Sequence, residues 1–328
     1  MYRQEVYYGA PGTGKSFSVD KILEPIDSAK KFRVTIHPEY TYSDFIGQLL
    51  PSASEEHPVD FKFKTGPFTD ALKEAYADAS QEVFLIIEEL SRGNAAAIFG
   101  DIFQLLDRNQ IGVSKYPIRN KDIAEQIPTL LTDEIRLPSN FNILCTVNTN
   151  DQNVYPMDTA FKRRFDWKYV STSPALKEDG DGRDKKLNNP KLLINANPVV
   201  ETNWQSFYMA LNSFITDKNN GLGKDEDKQV GQFFIDFPTT VITESYSEED
   251  EIKSAAMIKI NDIIKNKLLQ YLWQDVQGNS SFGTTVSLFD SDISSFEKLY
   301  TSYDTNKVFS DAFIEGFLRP NCNEYSFE

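Results

Sequence analysis

Gly9-Ala10-Pro11-Gly12-Thr13-Gly14-Lys15-Ser16 satisfies G-x-x-x-x-G-K-[ST] without a mismatch. Glycines let successive backbone N–H groups converge on phosphate oxygens, and a helix starting at Lys15 turns its positive end toward them. Lys15 reaches the β- and γ-phosphates, and Ser16 offers its hydroxyl to Mg²⁺. All eight residues are expected to bind a nucleoside triphosphate, GTP or ATP. Hydrolysis further needs a metal-associated carboxylate and a group that orients water. Leu85-Ile86-Ile87 ends in Glu88-Glu89, at the strand end where α/β sheets place ligands. Glu88 is expected in the magnesium shell through water, and Glu89 to polarise the attacking water. Aspartate is usual at the first position, so the longer Glu88 implies looser metal geometry and slower turnover.

Further on, Asn148-Thr149-Asn150-Asp151 closes another apolar run. Asn148 is placed to hold the attacking water from the far side. Asp151 is a candidate contact to the nucleotide-facing loop or to a partner, and the string also matches a loose guanine-reading N-[KT]-x-D. Lys162-Arg163-Arg164 follows. A cation that completes a neighbour's site is a recurrent device in phosphoryl transfer, so Arg163 and Arg164 are candidates to act in trans, which implies a ring.

Positioning these residues takes an α/β frame. The short apolar runs at Val6–Tyr8, Phe32–Ile36, Val83–Ile87, Phe141–Val147 and Phe165–Val170 read as strands. Val83–Ile87 is continuously apolar, as suits a parallel strand buried on both faces. Helical spacing runs over Lys15–Leu23, Phe68–Ala79 and Ala95–Leu106. Alternation of this kind predicts a parallel sheet sandwiched by helices over residues 1–173. An insertion spans 107–140, with Val113–Ile118 and Glu134–Leu137 expected to pair as a hairpin. Pro174–Pro198, rich in Lys, Asp, Gly and Asn, reads as a linker or mobile loop. From 199 to 328 a smaller, mostly helical domain is expected, with helices over Trp204–Ile215 and Glu251–Leu272 and an irregular C-terminal extension.

Composition narrows the function. The chain has 328 residues, 40% hydrophobic and 25% charged, with 34 Lys+Arg against 49 Asp+Glu for a formal charge of −15. That excludes a protein that coats DNA through general basicity, because such affinity rests on cations that neutralise phosphates. The two cysteines, Cys145 and Cys322, are too few for a disulfide framework, and His37 and His57 cannot form a histidine-rich metal cage. With no apolar leader and no stretch of about 18 apolar residues, a soluble cytoplasmic protein without membrane association is expected. The phosphate loop begins eight residues from Met1, so a target-recognition module is expected elsewhere or on another subunit.

These motifs together resemble an AAA+ NTPase, and within it the McrB branch. His37-Pro38-Glu39-Tyr40-Thr41-Tyr42-Ser43-Asp44-Phe45-Ile46-Gly47 resembles that branch's H-x-x-Y-x-Y-x-D-F-I-x-G, and Lys64-Thr65-Gly66-Pro67-Phe68 its K-x-G-P-F. Glu88–Asn94 stands where the family has D-E-I-N-R-A-N, Val147–Asp151 where it has M-N-T-x-D, Asp158–Phe165 where it has D-x-A-L-R-R-R-F, and Gln229–Phe234 is similar to Q-I-G-H-S-Y-F. The resemblance covers roughly residues 4 to 275. It implies a hexameric ring with nucleotide at subunit interfaces, Asn148 as sensor and Arg163 or Arg164 as finger. It also implies a McrC-type accessory subunit that stimulates hydrolysis and carries the nuclease, so that the complex acts on DNA. Glu88, Gln152 and Gln232 depart from the family's Asp, Arg and His, and no counterpart of the archetype's N-terminal DNA-reading domain is expected in this chain. Two other classes compete: a MoxR-like remodeller of proteins, and a regulatory nucleotide-binding subunit with little turnover. Asp60-Phe61-Lys62 is only a fragment of a nuclease motif, and no nuclease is expected in this chain.

Overall fold

The computed structural model describes residues 2–52, 60–148, 155–174, 176–178, 184–186, 188–278 and 286–322. The chain divides into two compact units: Met1–Tyr8 with Lys15–Val170, and Gly9–Gly14 with Ser171–Glu328. The phosphate-loop glycines, expected in the N-terminal domain, therefore group with the C-terminal unit, which is comparable in length to the first.

The first unit is built on a five-stranded sheet, whose strands we number β1 (Gln4–Gly9), β2 (Lys31–Thr35), β3 (Val83–Glu88), β4 (Phe141–Asn148) and β5 (Asp166–Tyr169). Their spatial order is β2-β3-β4-β1-β5. The pairings β1–β5, β2–β3 and β3–β4 are parallel. Every residue of β3 is buried, as its unbroken apolar run requires, whereas β2 and β5 at the edges are largely open to solvent. The ends of β3 and β4 thus lie side by side, and the next strand over is β1, which leads into the glycine-rich loop.

Two of the motifs quoted above do structural work. Thr41 and Asp44 form a reciprocal capping box at the short helix Tyr42–Ile46, satisfying N–H groups that a helix start leaves open. Phe45 is fully buried and its ring lies 5.7 Å from Phe68 and 5.2 Å from Phe99. Gly66 leads into the helix Pro67–Ala77 and lies where a Cβ would stand 2.5 Å from the Phe45 carbonyl oxygen. The tyrosine-rich segment and K-x-G-P-F therefore lock one helical layer onto β3. Between them, Gly47–Ser52 and Asp60–Thr65 pair as antiparallel strands, which places the Asp60-Phe61-Lys62 fragment on a hairpin.

Elsewhere the structure departs from expectation. The helix predicted over Ala95–Leu106 is α-helical only to Phe99. Gly100, at φ +49, turns the chain into a 3₁₀ segment over Gly100–Leu106. The insertion's hairpin is reduced to Ile118–Arg119 against Glu134–Ile135. Within 174–198, Lys191–Ile194 is a strand paired antiparallel with Val200–Asn203, not a linker. Leu192 and Ile194 alternate into the core there, a short signal that the surrounding charge conceals. The second unit continues through the helices Trp204–Thr216 and Asp250–Ile264. Trp204, Phe207, Tyr208 and Phe214 line its core together with Phe309 and Phe313.

A candidate nucleotide site

In the first unit, the helix Lys15–Leu23 buries Lys15, Val19 and Leu23, one every fourth residue. This spacing puts all three on one face. Burial pushes the Lys15 ammonium down to about 8, against the opposing attraction of Glu89. Ser16 Oγ lies 3.2 Å from Glu88 Oε2 and donates to it. The same carboxylate oxygen accepts from the Thr146 hydroxyl, and Glu88 Oε1 accepts from Arg33 Nη1 at 2.7 Å. Arg33 also pairs with Asp20. β2, β3 and β4 thus each send one polar side chain to a common point beside the helix that follows the phosphate loop.

One residue further, Glu89 adopts φ +55, ψ +40, a left-handed conformation uncommon for a residue with a side chain and frequent at functional sites. Its backbone N–H donates to Thr146 Oγ1 at 3.2 Å. Both of its carboxylate oxygens accept from Asn148 Nδ2 at 2.9 Å, and Arg92 Nε lies 3.3 Å from one of them. The Glu89 carboxylate and the Asn148 amide therefore stand at adjacent strand ends, in contact.

In the second unit, Gly12 and Gly14 have φ of +76 and +88, open to glycine at little steric cost. Thr13 Oγ1 closes the loop onto the Ala10 carbonyl at 3.0 Å. The carbonyls of Pro11 and Gly12 accept from the N–H groups of Gly231 and Phe233, each at 2.8 Å.

The AAA domain of the dynein-related subfamily matches residues 6–165. The component YdiS of the type II restriction enzyme BsuMI of Bacillus subtilis (strain 168) is 35% identical over 332 residues, 92% of this chain and 86% of its own length. The EcoKMcrB subunit of a type IV methyl-directed restriction enzyme of Escherichia coli (strain K12) is 26% identical over 165 residues, 49% of this chain and 33% of that subunit. The chain belongs to the McrB branch of the AAA+ NTPases.

In this AAA+ protein the anticipated carboxylates and amide come together: Ser16 with Glu88, and Glu89 with Asn148. The adjacent arginines do not share one environment. Arg164 donates to Asp107 Oδ2 at 2.6 Å and to the Ala160 carbonyl, and its guanidinium lies 4.0 Å from the centre of the Phe103 ring. Arg164 is thus held by contacts within its own chain, whereas Arg163 is exposed. Asp151 lies outside the described residues. Sequence reasoning did not single out Arg33 or Thr146, and it read Gly231 only as part of the resemblance over Gln229–Phe234. Arg33 and Thr146 sit two residues before their strands end, and only the parallel register places them beside Glu88.

Ser16 and Glu88 together offer a hydroxyl and a carboxylate oxygen at close range. Mg²⁺ takes such hard oxygens, completing its octahedron with waters and substrate phosphates. The residues fit the ion. They would hold it against the phosphates, where it would neutralise charge developing in phosphoryl transfer. Among the described residues no helix is long and apolar enough to cross a membrane.

Proposed function

We propose that this chain is the motor subunit of a DNA restriction or antiphage complex in the cytoplasm. In this reading it hydrolyses GTP or ATP to drive translocation while a McrC-like partner cleaves. The observation that carries the chemistry is the adjacency of two pairs, Ser16–Glu88 and Glu89–Asn148, in a chain whose sequence carries a complete phosphate-binding motif. Lys15 and the backbone N–H groups of residues 9–16 other than Pro11, which has none, hold the triphosphate, and Ser16 and Glu88 hold Mg²⁺, with Glu88 acting through water. Glu89 accepts the proton of the attacking water, and Asn148 orients both. Arg163 completes the site of the neighbouring subunit, and the active form is a ring, a hexamer in this reading. Asp151 contacts the nucleotide-facing loop or the partner. The restriction context is supported by the relatives, which are named as components of restriction enzymes.

A second reading, a MoxR-like remodeller of proteins, is favoured by the formal charge of −15, which supplies few cations to hold a phosphate backbone. One assay separates the two. Hydrolysis of ATP and GTP by the purified protein is measured alone, with duplex DNA, and with the product of an adjacent gene. Stimulation by that product together with cleavage of DNA supports the motor. A turnover indifferent to both overturns it and leaves the remodeller.

A further inference from the structure

The segment Gln229–Phe234 is the one motif that the chemistry above leaves without a task. Gly231 and Phe233 donate to the carbonyl oxygens of Pro11 and Gly12 at 2.8 Å, inside the phosphate-binding loop. The approach is so close that a Cβ on Gly231 would stand 2.3–2.4 Å from the Gly12 carbonyl and the Thr13 nitrogen, and a Cβ on Gly12 2.2 Å from the Phe234 nitrogen. In a planar trans peptide the C=O and N–H point in opposite directions. Fixing the carbonyls of Pro11 and Gly12 on one side therefore aims the N–H groups of Gly12 and Thr13 to the other. We infer that Gly231–Phe233 is a backbone clamp that orients the phosphate-binding amides of the loop, and that Gly231 and Phe233 are positioning residues for the polyphosphate of the nucleotide.

The clamp is itself held from behind. Asn212 exchanges two hydrogen bonds with the Val230 backbone, both at 2.8 Å. Asn188 donates to the carbonyls of Gln232 and Ile235, and Trp204 Nε1 donates to that of Gln232 at 2.8 Å. Asn188, at φ +51, accepts the Phe237 N–H in return. Three buried or half-buried side chains thus fasten a short irregular segment, two of whose backbone N–H groups donate to the loop carbonyls just described. A turn serving only the core of the second unit has no need of a glycine at the one point where a side chain would strike Gly12. The glycine answers to the loop.

This inference rests on the nucleotide-binding reading, and the test separates the two. Phe233→Pro deletes one donor, because proline has no N–H, while Phe233→Ala keeps it. Gly231→Ala forces the clamp away from the loop. Affinities of the full chain for GTP and ATP are measured by calorimetry, and those for GMP and AMP by competition. Hydrogen exchange of the nucleotide-free protein is followed over residues 9–16 and 229–236. Phe233→Ala is expected to bind the triphosphates like the parent. Phe233→Pro and Gly231→Ala are expected to lose about 10-fold or more, the size of a hydrogen bond to a charged group, with monophosphate affinity changed by less than about threefold. Their loop amides are expected to exchange faster. A purely structural role would lower triphosphate and monophosphate affinity alike and would overturn the inference. Equal triphosphate binding by the proline and alanine variants would also overturn it. Should the proline variant not fold, unprotected Gly231 and Phe233 amides in the parent protein would have the same consequence. Failure of the parent to bind any of the four nucleotides would sink the nucleotide-binding reading instead.

Discussion

Lys15 carries a charge that burial opposes, and this makes it a reporter for its own role. Its ammonium is pushed down to about 8 from an ordinary value of 10.5. Between those values the unfolded chain holds a proton that the folded chain has released. Lys15 therefore costs stability below about pH 8 and relieves that cost as pH rises toward about 10. Denaturant unfolding of the nucleotide-free protein is expected to show this gain, and Lys15→Met to flatten it. A triphosphate beside the ammonium restores the proton, so calorimetry at pH 8.5 in buffers of different ionisation enthalpy is expected to report proton uptake on binding. Lys15→Ala is expected to abolish binding. At Glu89, the carboxylate that Asn148 holds through both oxygens, Glu89→Gln is expected to keep nucleotide affinity. Its kcat should fall about 10²–10⁴-fold, the span of a general base. Asn148→Ala should lower kcat with little change in KM, since an amide that orients water acts on the reaction more than on binding.

At the level of elements, the site is a meeting of strand ends. β3 delivers Glu88, and β4, beside it, delivers Thr146 and Asn148. Parallel neighbours end on the same side, and for that reason polar residues far apart in sequence converge. The aromatic layer of Phe45, Phe68 and Phe99 backs this edge. Phe45→Ala is expected to cost about 3–5 kcal/mol in unfolding free energy, as for other buried phenylalanines cut to alanine. Beyond β4, Lys162-Arg163-Arg164 holds two arginines in different environments. Arg164→Ala breaks the contact to Asp107, whose carboxyl the guanidinium holds below the usual range, and leaves ring-stacked surface unfilled. A loss of about 2 kcal/mol in stability is expected. Arg163→Ala is expected to unfold like the parent and to lose only hydrolysis. If denaturant titrations show equal destabilisation by the two, the distinction drawn between them is wrong.

At the scale of the whole molecule, the two compact units share the phosphate-binding loop unevenly. Gly9–Gly14 belongs with the C-terminal unit, while Lys15 and Ser16 belong with the first. Trans action makes a sharp demand on assembly. Glu89→Gln subunits and Arg163→Ala subunits, each inactive alone, are expected to recover part of the hydrolysis when mixed, because some interfaces then pair an intact Glu89 with an intact Arg163. Sedimentation with GTP or ATP should show assembly under the same conditions. Absence of recovery in a mixture that does assemble would refute a shared site.

The phosphate loop, Glu88, Glu89 and Asn148 were legible because each depends on local grammar: a glycine spacing, or a polar group closing an apolar run. The central strands themselves were legible for the same reason, since burial on both faces leaves a continuous apolar signature such as Val83–Ile87. Three things were not. Arg33 and Thr146 look like ordinary strand residues until the register sets them against Glu88. Lys162-Arg163-Arg164 reads as one basic cluster until packing sends Arg164 inward to Asp107 and leaves its neighbour exposed. Gly231 has no meaning until the chain returns to the loop 219 residues upstream of it. Such contacts pair groups far apart along the chain through backbone atoms that every residue possesses, so no residue type advertises them, and only the folded path chooses which amide meets which carbonyl.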